Sequence, residues 1–231
     1  MDIRGFIETS FLDWDGKVSS VIFLPLCNLL CPFCNNASLL SKIDLLPTLD
    51  PDTIDEFLEK RRNFIDGVVI TGGEPTLQPD LMEYIKHLKS MKFMVKLDTN
   101  GTNPKILKEL LSGKLLDYVA MDIKAPLDER YFKASGTRVD LNKIRESIKL
   151  LMGSEINYEF RTTVCPAFHE EKDLLDIAKE IAGAKKYVLQ QFVAKDVLDP
   201  GLLKVKPYSK EQLSAIAKTC EQHVKTSFRG V

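Results

Sequence analysis

Short apolar runs alternate along the chain with longer segments in which apolar residues recur every three or four positions. The short runs have the length and composition of strands that are buried on both faces, and the longer segments have the period of amphipathic helices. Such alternation predicts a parallel sheet whose strands are joined by helices. The six predicted strands are residues 18–24, 67–71, 93–98, 117–122, 156–164 and 187–193.

A helix is predicted after each strand, and three of the helix starts carry recognisable caps. Asp50 and Asn103 each precede a proline, and Ser209 with Gln212 forms a capping box. Six strand–helix units are too few to close an eight-stranded barrel. We therefore expect an α/β fold, an open partial (βα)6 barrel with outer helices, in which the loops that follow the strands form the active face.

The length of the chain, 231 residues of which 44% are hydrophobic, permits one large domain or two small ones. We expect a single domain over residues 1–231, with an N-terminal extension over residues 1–17 and a C-terminal loop and helix over residues 194–231. Residues 196–208 are rich in turn-forming residues and are predicted to be the most mobile loop.

The charge of the chain is balanced, with 32 lysine and arginine residues against 33 aspartate and glutamate residues. This balance gives no reason to expect binding to nucleic acid or to an anionic membrane. The first residues lack the apolar core of a signal peptide, and no stretch approaches the roughly 18 apolar residues of a membrane span. We therefore expect a soluble, cytoplasmic protein.

Three of the five cysteines, Cys27, Cys31 and Cys34, lie within eight residues just after the first predicted strand. An odd number of cysteines grouped in this way favours a metal or cluster site in a reducing compartment over a set of disulfides. Thiolates are the usual ligands of iron–sulfur clusters. Because a cubane has four irons and no fourth cysteine is near, one iron would be left open for substrate.

Two other interpretations of these cysteines are a structural zinc site and three packing residues. Structural zinc normally has four ligands, usually in two separated pairs, and the nearest histidine, His87, belongs to a predicted helix far along the chain. The C-x₃-C-x₂-C spacing directly after a strand therefore favours an iron–sulfur cluster.

Polar residues follow the next predicted strands and would meet at the same edge of the sheet. They are Gly72, Gly73 and Glu74 after the second strand, Asp98 and Thr99 at the end of the third, and Asp122 and Lys124 at the end of the fourth. Taken singly, each has a simpler interpretation, because paired glycines form tight turns and an aspartate–lysine pair is common on surfaces.

Alternation along the fifth predicted strand places Glu159, Arg161 and Thr163 on one face. An arginine that points into a barrel is unfavourable unless it is paired or bound to a ligand, so Arg161 is a candidate contact for cofactor or substrate. The sixth strand presents a weaker candidate pair, Gln190 and Gln191.

The remaining cysteines and histidines are assigned no chemistry. Cys165 and Cys220 are expected to be buried packing residues. The histidines His87, His169 and His223 are expected to be polar surface residues.

The cysteine segment, CNLLCPFC, has an aromatic residue, Phe33, just before its third cysteine. This pattern resembles the signature of the radical S-adenosylmethionine (SAM) superfamily, and the resemblance extends over nearly the whole chain. It implies a 4Fe–4S cluster on the three cysteines, with the open iron chelated by the amino and carboxylate groups of SAM and with Phe33 near the adenine. Gly72, Gly73 and Glu74 look like part of the superfamily's GGEP motif, whose backbone holds the substrate amino group.

The D-T-N-G and D-x-K segments resemble those of the glycyl-radical-enzyme activases. By that resemblance, Asp98, Thr99 and Asp122 would ligate a monovalent cation beside the methionine carboxylate of SAM, and Lys124 would neutralise that carboxylate. Many such activases have a histidine near the last strand. This chain has none there, which leaves that contact unassigned.

Residues 5–17 together with the cysteine segment look most like the activating proteins of anaerobic ribonucleoside-triphosphate reductase. The resemblance implies that a reduced flavodoxin or ferredoxin supplies an electron, that SAM is cleaved to a 5′-deoxyadenosyl radical, and that this radical removes hydrogen from a glycine of the partner reductase. One alternative is a radical SAM enzyme that acts on a small molecule or a peptide. Another is a non-catalytic iron–sulfur electron carrier, which would not explain three ligands instead of four.

Overall fold

The computed structural model describes residues 1–230, and its central feature is one open sheet of eight strands. The strands pair in chain order, and every neighbouring pair is parallel except the first, which is antiparallel. The strands are β1 Gly5–Ser10, β2 Ser19–Leu24, β3 Gly67–Gly72, β4 Met94–Thr99, β5 Tyr118–Asp122, β6 Asn157–Val164, β7 Tyr187–Gln191 and β8 Thr226–Arg229. The predicted fold class, an open α/β barrel, is confirmed.

Helices connect the parallel strands and cover the outer face of the sheet. They are α1 Ser38–Ser41, α2 Pro51–Lys60, α3 Leu81–Ser90, α4 Pro104–Ser112, α5 Glu129–Ser135, α6 Leu141–Met152, α7 Glu171–Glu180 and α8 Lys210–Cys220. Short 3₁₀ helices cover Ile43–Leu45, Pro75–Leu77 and Pro200–Lys204. The caps predicted at Asp50, Asn103 and Ser209 are present, each as a side chain that accepts a backbone N–H of its own helix. In the part of the chain described, no helix is long and apolar enough to cross a lipid bilayer.

The central strands β2 to β7 are the six predicted ones, but both edge strands lie in segments for which no strand was predicted. β1 falls within residues 1–17, which were expected to be only an extension, and β8 falls within residues 194–231, which were expected to hold a loop and a helix. β1 has no fully buried apolar side chain, and β8 is four residues long. Because edge strands are half-exposed, neither shows the apolar run by which the central strands were recognised. Helix α5 also was not predicted.

The sheet separates two clusters of buried apolar side chains. The larger one lies between the sheet and the helices and includes Ile22 and Ile70. The smaller one lies on the opposite, inner face of the sheet, where Val21 and Val69 pack against Trp14. Within each of these two strands, consecutive residues therefore point to different clusters, as the alternation of side chains along a strand requires.

Trp14 fills the amino end of the barrel. Its indole is 6% exposed and lies 6.0 Å from the ring of Tyr118, centroid to centroid. A Cβ added to Gly67, the first residue of β3, would lie 2.8 Å from the indole, so the strand start and the ring are in close contact. The residue that closes this end of the barrel therefore comes from the connection between β1 and β2.

Replacing Trp14 with alanine is expected to lower the free energy of unfolding by about 3–5 kcal/mol, because it leaves a large cavity at the amino end of the barrel. Urea denaturation of the two proteins measures the difference. The control is Phe11→Ala, three positions earlier, where the side chain is 66% exposed and truncation should change the stability by less than about 0.5 kcal/mol. Equal losses in the two variants would contradict this role of Trp14.

Candidate active site

The loops that follow the parallel strands surround one cavity at the carboxyl ends of those strands. Its volume is about 780 Å³, counting the part that is open to solvent. Of the residues proposed for the site from the sequence, all but Glu74 line this cavity. They are Cys27, Cys31, Phe33, Cys34, Gly72, Gly73, Asp98, Thr99, Asp122, Lys124 and Arg161.

The three cysteines lie on the loop between β2 and α1, which neighbouring loops hold in place. Leu30 N–H donates to the Ser135 carbonyl at 2.9 Å, at the end of α5. The Asn36 side-chain amide donates to the Gly72 carbonyl at 2.8 Å, at the end of β3. The cysteine loop is thus fixed between the connections that follow β3 and β5.

A third neighbour of the cysteine loop is the segment that follows β7. The Asn35 side-chain amide donates to the Val193 carbonyl at 2.8 Å, and the backbone N–H of Asp199 donates to the Pro32 carbonyl at 2.9 Å. The Ser38 hydroxyl donates to the Asp196 carboxylate at 2.8 Å. The segment that the sequence indicated as the most mobile loop therefore makes several contacts with the cysteine loop.

The donor set of this loop fits an iron–sulfur cluster. Cys31 is buried and Cys27 and Cys34 are half-buried, and all three are free thiols that line the same cavity. Burial raises the pKa of Cys27 to about 11 and that of Cys31 to about 12, so binding of iron would displace their protons. Within residues 1–230, no group of three or more His, Cys, Asp or Glu side chains converges to hold a metal ion. This finding is compatible with a cluster. In a cubane each thiolate binds a different iron, so the three sulfur atoms lie farther apart than they would around a single metal ion.

Gly72 and Gly73 allow the loop after β3 to pack directly against the start of the cysteine loop. The backbone N–H groups of Gly73 and Glu74 donate to the Leu24 and Leu26 carbonyls, both at 2.8 Å. A Cβ on Gly73 would lie 1.8 Å from the Leu26 oxygen, and Gly72 has φ of +118°. The glycines are therefore required by the contact between two loops, in addition to any approach of a ligand.

Glu74 does not face the cavity. Its carboxylate is fully buried and accepts from the Thr76 and Thr99 hydroxyls and from the backbone N–H of Asn100, the last at 2.6 Å. Burial raises the pKa of Glu74, and these donors act in the opposite direction. Glu74 therefore joins the loops after β3 and β4 from behind the cavity wall.

A group of paired charges forms one side of the cavity. Arg161 lies opposite Asp122 in the register of β6 and β5, and its Nε donates to Asp122 Oδ1 at 2.6 Å. Its Nη1 donates to Asp98 Oδ2 at 3.2 Å, and Lys124 Nζ donates to Asp122 Oδ2 at 2.9 Å. Burial alone would raise the pKa of Asp122, but the charges of Arg161 and Lys124 outweigh it and hold this pKa well below its usual range.

The group also includes Lys96, a buried residue of β4 whose Nζ lies 3.4 Å from Asp98 Oδ1. Three cations, Lys96, Lys124 and Arg161, thus face two carboxylates, which leaves one excess positive charge. The two of these cations that line the cavity, Lys124 and Arg161, favour an anionic group such as a carboxylate there.

The side chains predicted to ligate a monovalent cation are brought close together, but each is paired with a protein group. Asp98 and Asp122 both accept hydrogen bonds from Arg161. The Thr99 hydroxyl donates to Glu74 at 2.7 Å. The cation site stays a prediction.

His169 is fully buried, so the prediction that it is a surface residue is wrong. Its Nδ1 accepts from the backbone N–H of Cys165 at 3.1 Å, and its Nε2 donates to the Lys124 carbonyl at 2.6 Å. Burial lowers the pKa of His169, which favours the neutral ring. Its ring lies 5.6 Å from that of Phe33. The one sequence feature that indicated a place at the active face was the position of His169 shortly after a predicted strand.

Asn100 and Gln190 are among the other polar residues that line the cavity. Asn100, of the D-T-N-G segment, places its side-chain amide 3.7 Å from the Cys27 sulfur. Gln190, one of the weaker candidates, lies near the end of β7 and lines the cavity, whereas the neighbouring Gln191 does not line it and donates to the Tyr208 carbonyl. Cys165 and Cys220 are buried, as predicted.

Comparison with known proteins identifies the family. Residues 21–181 match the Radical SAM superfamily, a range that includes the cysteine loop and every charged residue of the cavity wall. The chain belongs to the radical SAM superfamily. Proteins of this superfamily are enzymes that use a 4Fe–4S cluster and SAM, so the predicted enzyme class and cofactors are confirmed.

A relative in Methanocaldococcus jannaschii extends the similarity to nearly the full chain. It is named "Putative glycyl-radical enzyme activating enzyme MJ1227" and is 36% identical over 228 residues, which cover 96% of this chain and 92% of the relative. The predicted resemblance to the glycyl-radical-enzyme activases is thus confirmed for this radical SAM protein.

Two solved structures share the fold. A domain of pyruvate-formate lyase-activating enzyme from Bacteroides vulgatus has a TM-score of 0.58 at 18% identity, covering 71% of this chain and 99% of that domain. Streptococcus suis SuiB bound to S-adenosylmethionine has a TM-score of 0.68 at 15% identity, covering 91% of this chain and 52% of SuiB.

Replacing Gly73 with alanine is expected to destabilise the protein by about 1–3 kcal/mol, because the added methyl group overlaps the Leu26 carbonyl and forces the two loops apart. Urea denaturation of the metal-free protein measures the loss. Gly153→Ala, at the end of α6 where a Cβ would lie 3.3 Å from its nearest neighbour, is the matched control and should change stability little. If Gly73→Ala is as stable as this control, the contact between the loops does not require glycine.

Proposed function

We propose that this radical SAM enzyme activates a glycyl-radical enzyme, and that its partner is an anaerobic ribonucleoside-triphosphate reductase. The observation that carries the proposal is the 36% identity to a protein named as a glycyl-radical enzyme activating enzyme, over nearly the full length of both chains. The choice of partner is supported by the resemblance of residues 5–17 and of the cysteine loop to activating proteins of that reductase.

The proposed cluster ligands are Cys27, Cys31 and Cys34, which fit three of the four irons of a cubane. When bound and reduced, the cluster would supply one electron to SAM, which would break the C5′–S bond of the sulfonium and give methionine and a 5′-deoxyadenosyl radical. That radical would take a hydrogen atom from the partner's glycine Cα, giving 5′-deoxyadenosine and a glycyl radical. A reduced flavodoxin or ferredoxin is the proposed source of the electron.

The charged wall of the cavity is proposed to orient SAM. Lys124 would face the methionine carboxylate, since it contributes to the excess positive charge and lines the cavity. Arg161 would keep Asp98 and Asp122 in place while it remains within reach of the ligand. Phe33 is almost fully buried and would offer an apolar surface for the adenine.

The surroundings of the cavity favour a protein substrate. Leu26 and Leu30 belong to the cysteine loop, yet their side chains are 55% and 53% exposed. Where exposed apolar side chains form a contiguous patch, they are typical of surfaces that bind proteins. A peptide segment that carries a glycine could cover them as it enters the open barrel.

A cytoplasmic location of the protein also stays a prediction.

Lys124→Met is expected to weaken SAM binding by about tenfold to a hundredfold, because a charge-assisted contact contributes about 1.5–3 kcal/mol. Equilibrium binding of SAM to the cluster-loaded protein gives the two dissociation constants. Lys89→Met is the control, since Lys89 also pairs with an aspartate, Asp117 at 2.6 Å, but does not line the cavity. Unchanged affinity in Lys124→Met would rule out the proposed role of this lysine.

The reduced protein, mixed with SAM and the candidate reductase in the absence of oxygen, is expected to give the electron paramagnetic resonance doublet of a glycyl radical. The doublet should disappear when the target glycine of the reductase is changed to alanine, since that position then has no side-chain-free Cα to hold the radical. Cys34→Ser of the present chain should abolish it, whereas Cys165→Ser, outside the cavity, should not. Release of 5′-deoxyadenosine without a radical on the reductase would show that the substrate is a different molecule.

A further inference from the structure

We propose that Asn100 raises the reduction potential of the iron–sulfur cluster by donating a hydrogen bond to the sulfur of Cys27. The inference rests on the cluster site of the proposed function but does not depend on which partner receives the radical. It is carried by one contact, between Asn100 Nδ2 and Cys27 Sγ at 3.7 Å, and by the network that fixes it.

The orientation of the Asn100 amide is determined by its other contacts. Its Oδ1 accepts from the backbone N–H of Thr102 at 3.0 Å and from the Thr102 hydroxyl at 2.6 Å. Because a carbonyl oxygen can accept these bonds and an NH₂ group cannot, the nitrogen must be on the opposite side, toward Cys27. The donor is therefore assigned by its neighbours.

A closed ring of hydrogen bonds stabilises this arrangement. Asn100 Nδ2 also donates to Asn28 Oδ1 at 2.9 Å, and Asn28 Nδ2 donates to the Thr102 hydroxyl at 2.8 Å. Since Asn28 follows Cys27 directly in the chain, the ring joins the cysteine loop to the loop after β4. Asn100 itself is 5% exposed, so water cannot easily replace its N–H groups.

The backbone of Asn100 is fixed from the other side. Its N–H donates to the buried carboxylate of Glu74 at 2.6 Å. Both the main chain and the side chain of Asn100 are therefore held, and the amide does not need to reorganise when the cluster changes its charge. A donor held in this way stabilises the form with more negative charge on sulfur.

Reduction of the cluster by one electron increases the negative charge on its sulfur ligands. Hydrogen bonds to those ligands are among the factors that set iron–sulfur potentials. The Cys27 sulfur also accepts from the backbone N–H of Leu29 at 3.4 Å, a bond that no side-chain substitution removes. Asn100 is thus a positioning residue whose side chain adjusts how easily the cluster takes up its electron.

The test is a potentiometric titration of the anaerobically reconstituted protein without SAM, with the reduced cluster followed by electron paramagnetic resonance. Asn100→Asp retains the oxygen that accepts from Thr102 but replaces the donor with a negative oxygen, and Asn100→Leu removes the donor without adding charge. Both are expected to shift the midpoint potential to more negative values, Asn100→Asp the further of the two. At the wild-type midpoint, the ratio of reduced to oxidised cluster should fall several-fold.

The matched control is Asn142→Asp, the same chemical change at an exposed position in the first turn of α6, which should leave the midpoint unchanged. If the Asn100 variants take up less iron than the wild type, the same titration is made with Thr102→Val instead. It keeps both Asn100 and Cys27 and removes only the hydroxyl that orients the amide, so a smaller shift in the same direction is expected.

The outcomes separate this inference from the function on which it rests. Wild-type midpoints in cluster-loaded Asn100 and Thr102 variants would overturn the inference and leave the proposed function intact. Failure of the wild-type chain to bind a cluster would overturn both. Because no glycyl-radical enzyme is present in the titration, a wrong choice of partner would not affect the result.

Discussion

The bridge that Arg161 forms between Asp98 and Asp122 is the interaction on which the site depends. It joins the carboxyl ends of β4 and β5 to a residue within β6, the strand that neighbours β5. Ionised groups buried at this depth are unfavourable unless each has a partner, and breaking such a pair by removing one member is strongly destabilising. The charges therefore fix the spacing of the strand ends around the cavity, in addition to any ligand that they are proposed to bind.

The cysteine loop depends on its neighbours for its shape. Apart from the short helix α1 that follows it, the loop has no regular structure, and its backbone groups bond to the connections after β3, β5 and β7. Leu26, where the loop begins, has φ of +67°, a conformation that is unfavourable for a leucine and that persists only when the surroundings require it. The strained residue lies where the glycines after β3 press against the loop.

The features that could be predicted from the sequence are the ones encoded locally. The central strands are continuous apolar runs, the caps are pairs of neighbouring residues, and the cysteines share one short segment. Edge strands β1 and β8 lack such a run because one side of each faces solvent. The burial of His169 and Glu74 was not predictable, since each has a hydrogen-bond partner that is distant in the chain, Lys124 and Thr99 respectively. Asn100 was visible in a motif, but its contact with Cys27 depends on the fold.

The indole of Trp14 closes the amino end of the barrel, and this has a consequence for the order of events in a catalytic cycle. With that end closed, the cavity opens at the carboxyl ends of the strands, where the proposed cofactor and the proposed partner segment would both enter. A peptide segment that enters there would prevent methionine and 5′-deoxyadenosine from leaving behind it. SAM would then bind before the partner, and the partner would dissociate before the spent cofactor is exchanged. If the substrate is the proposed partner protein, turnover would then be limited by how quickly the two proteins separate.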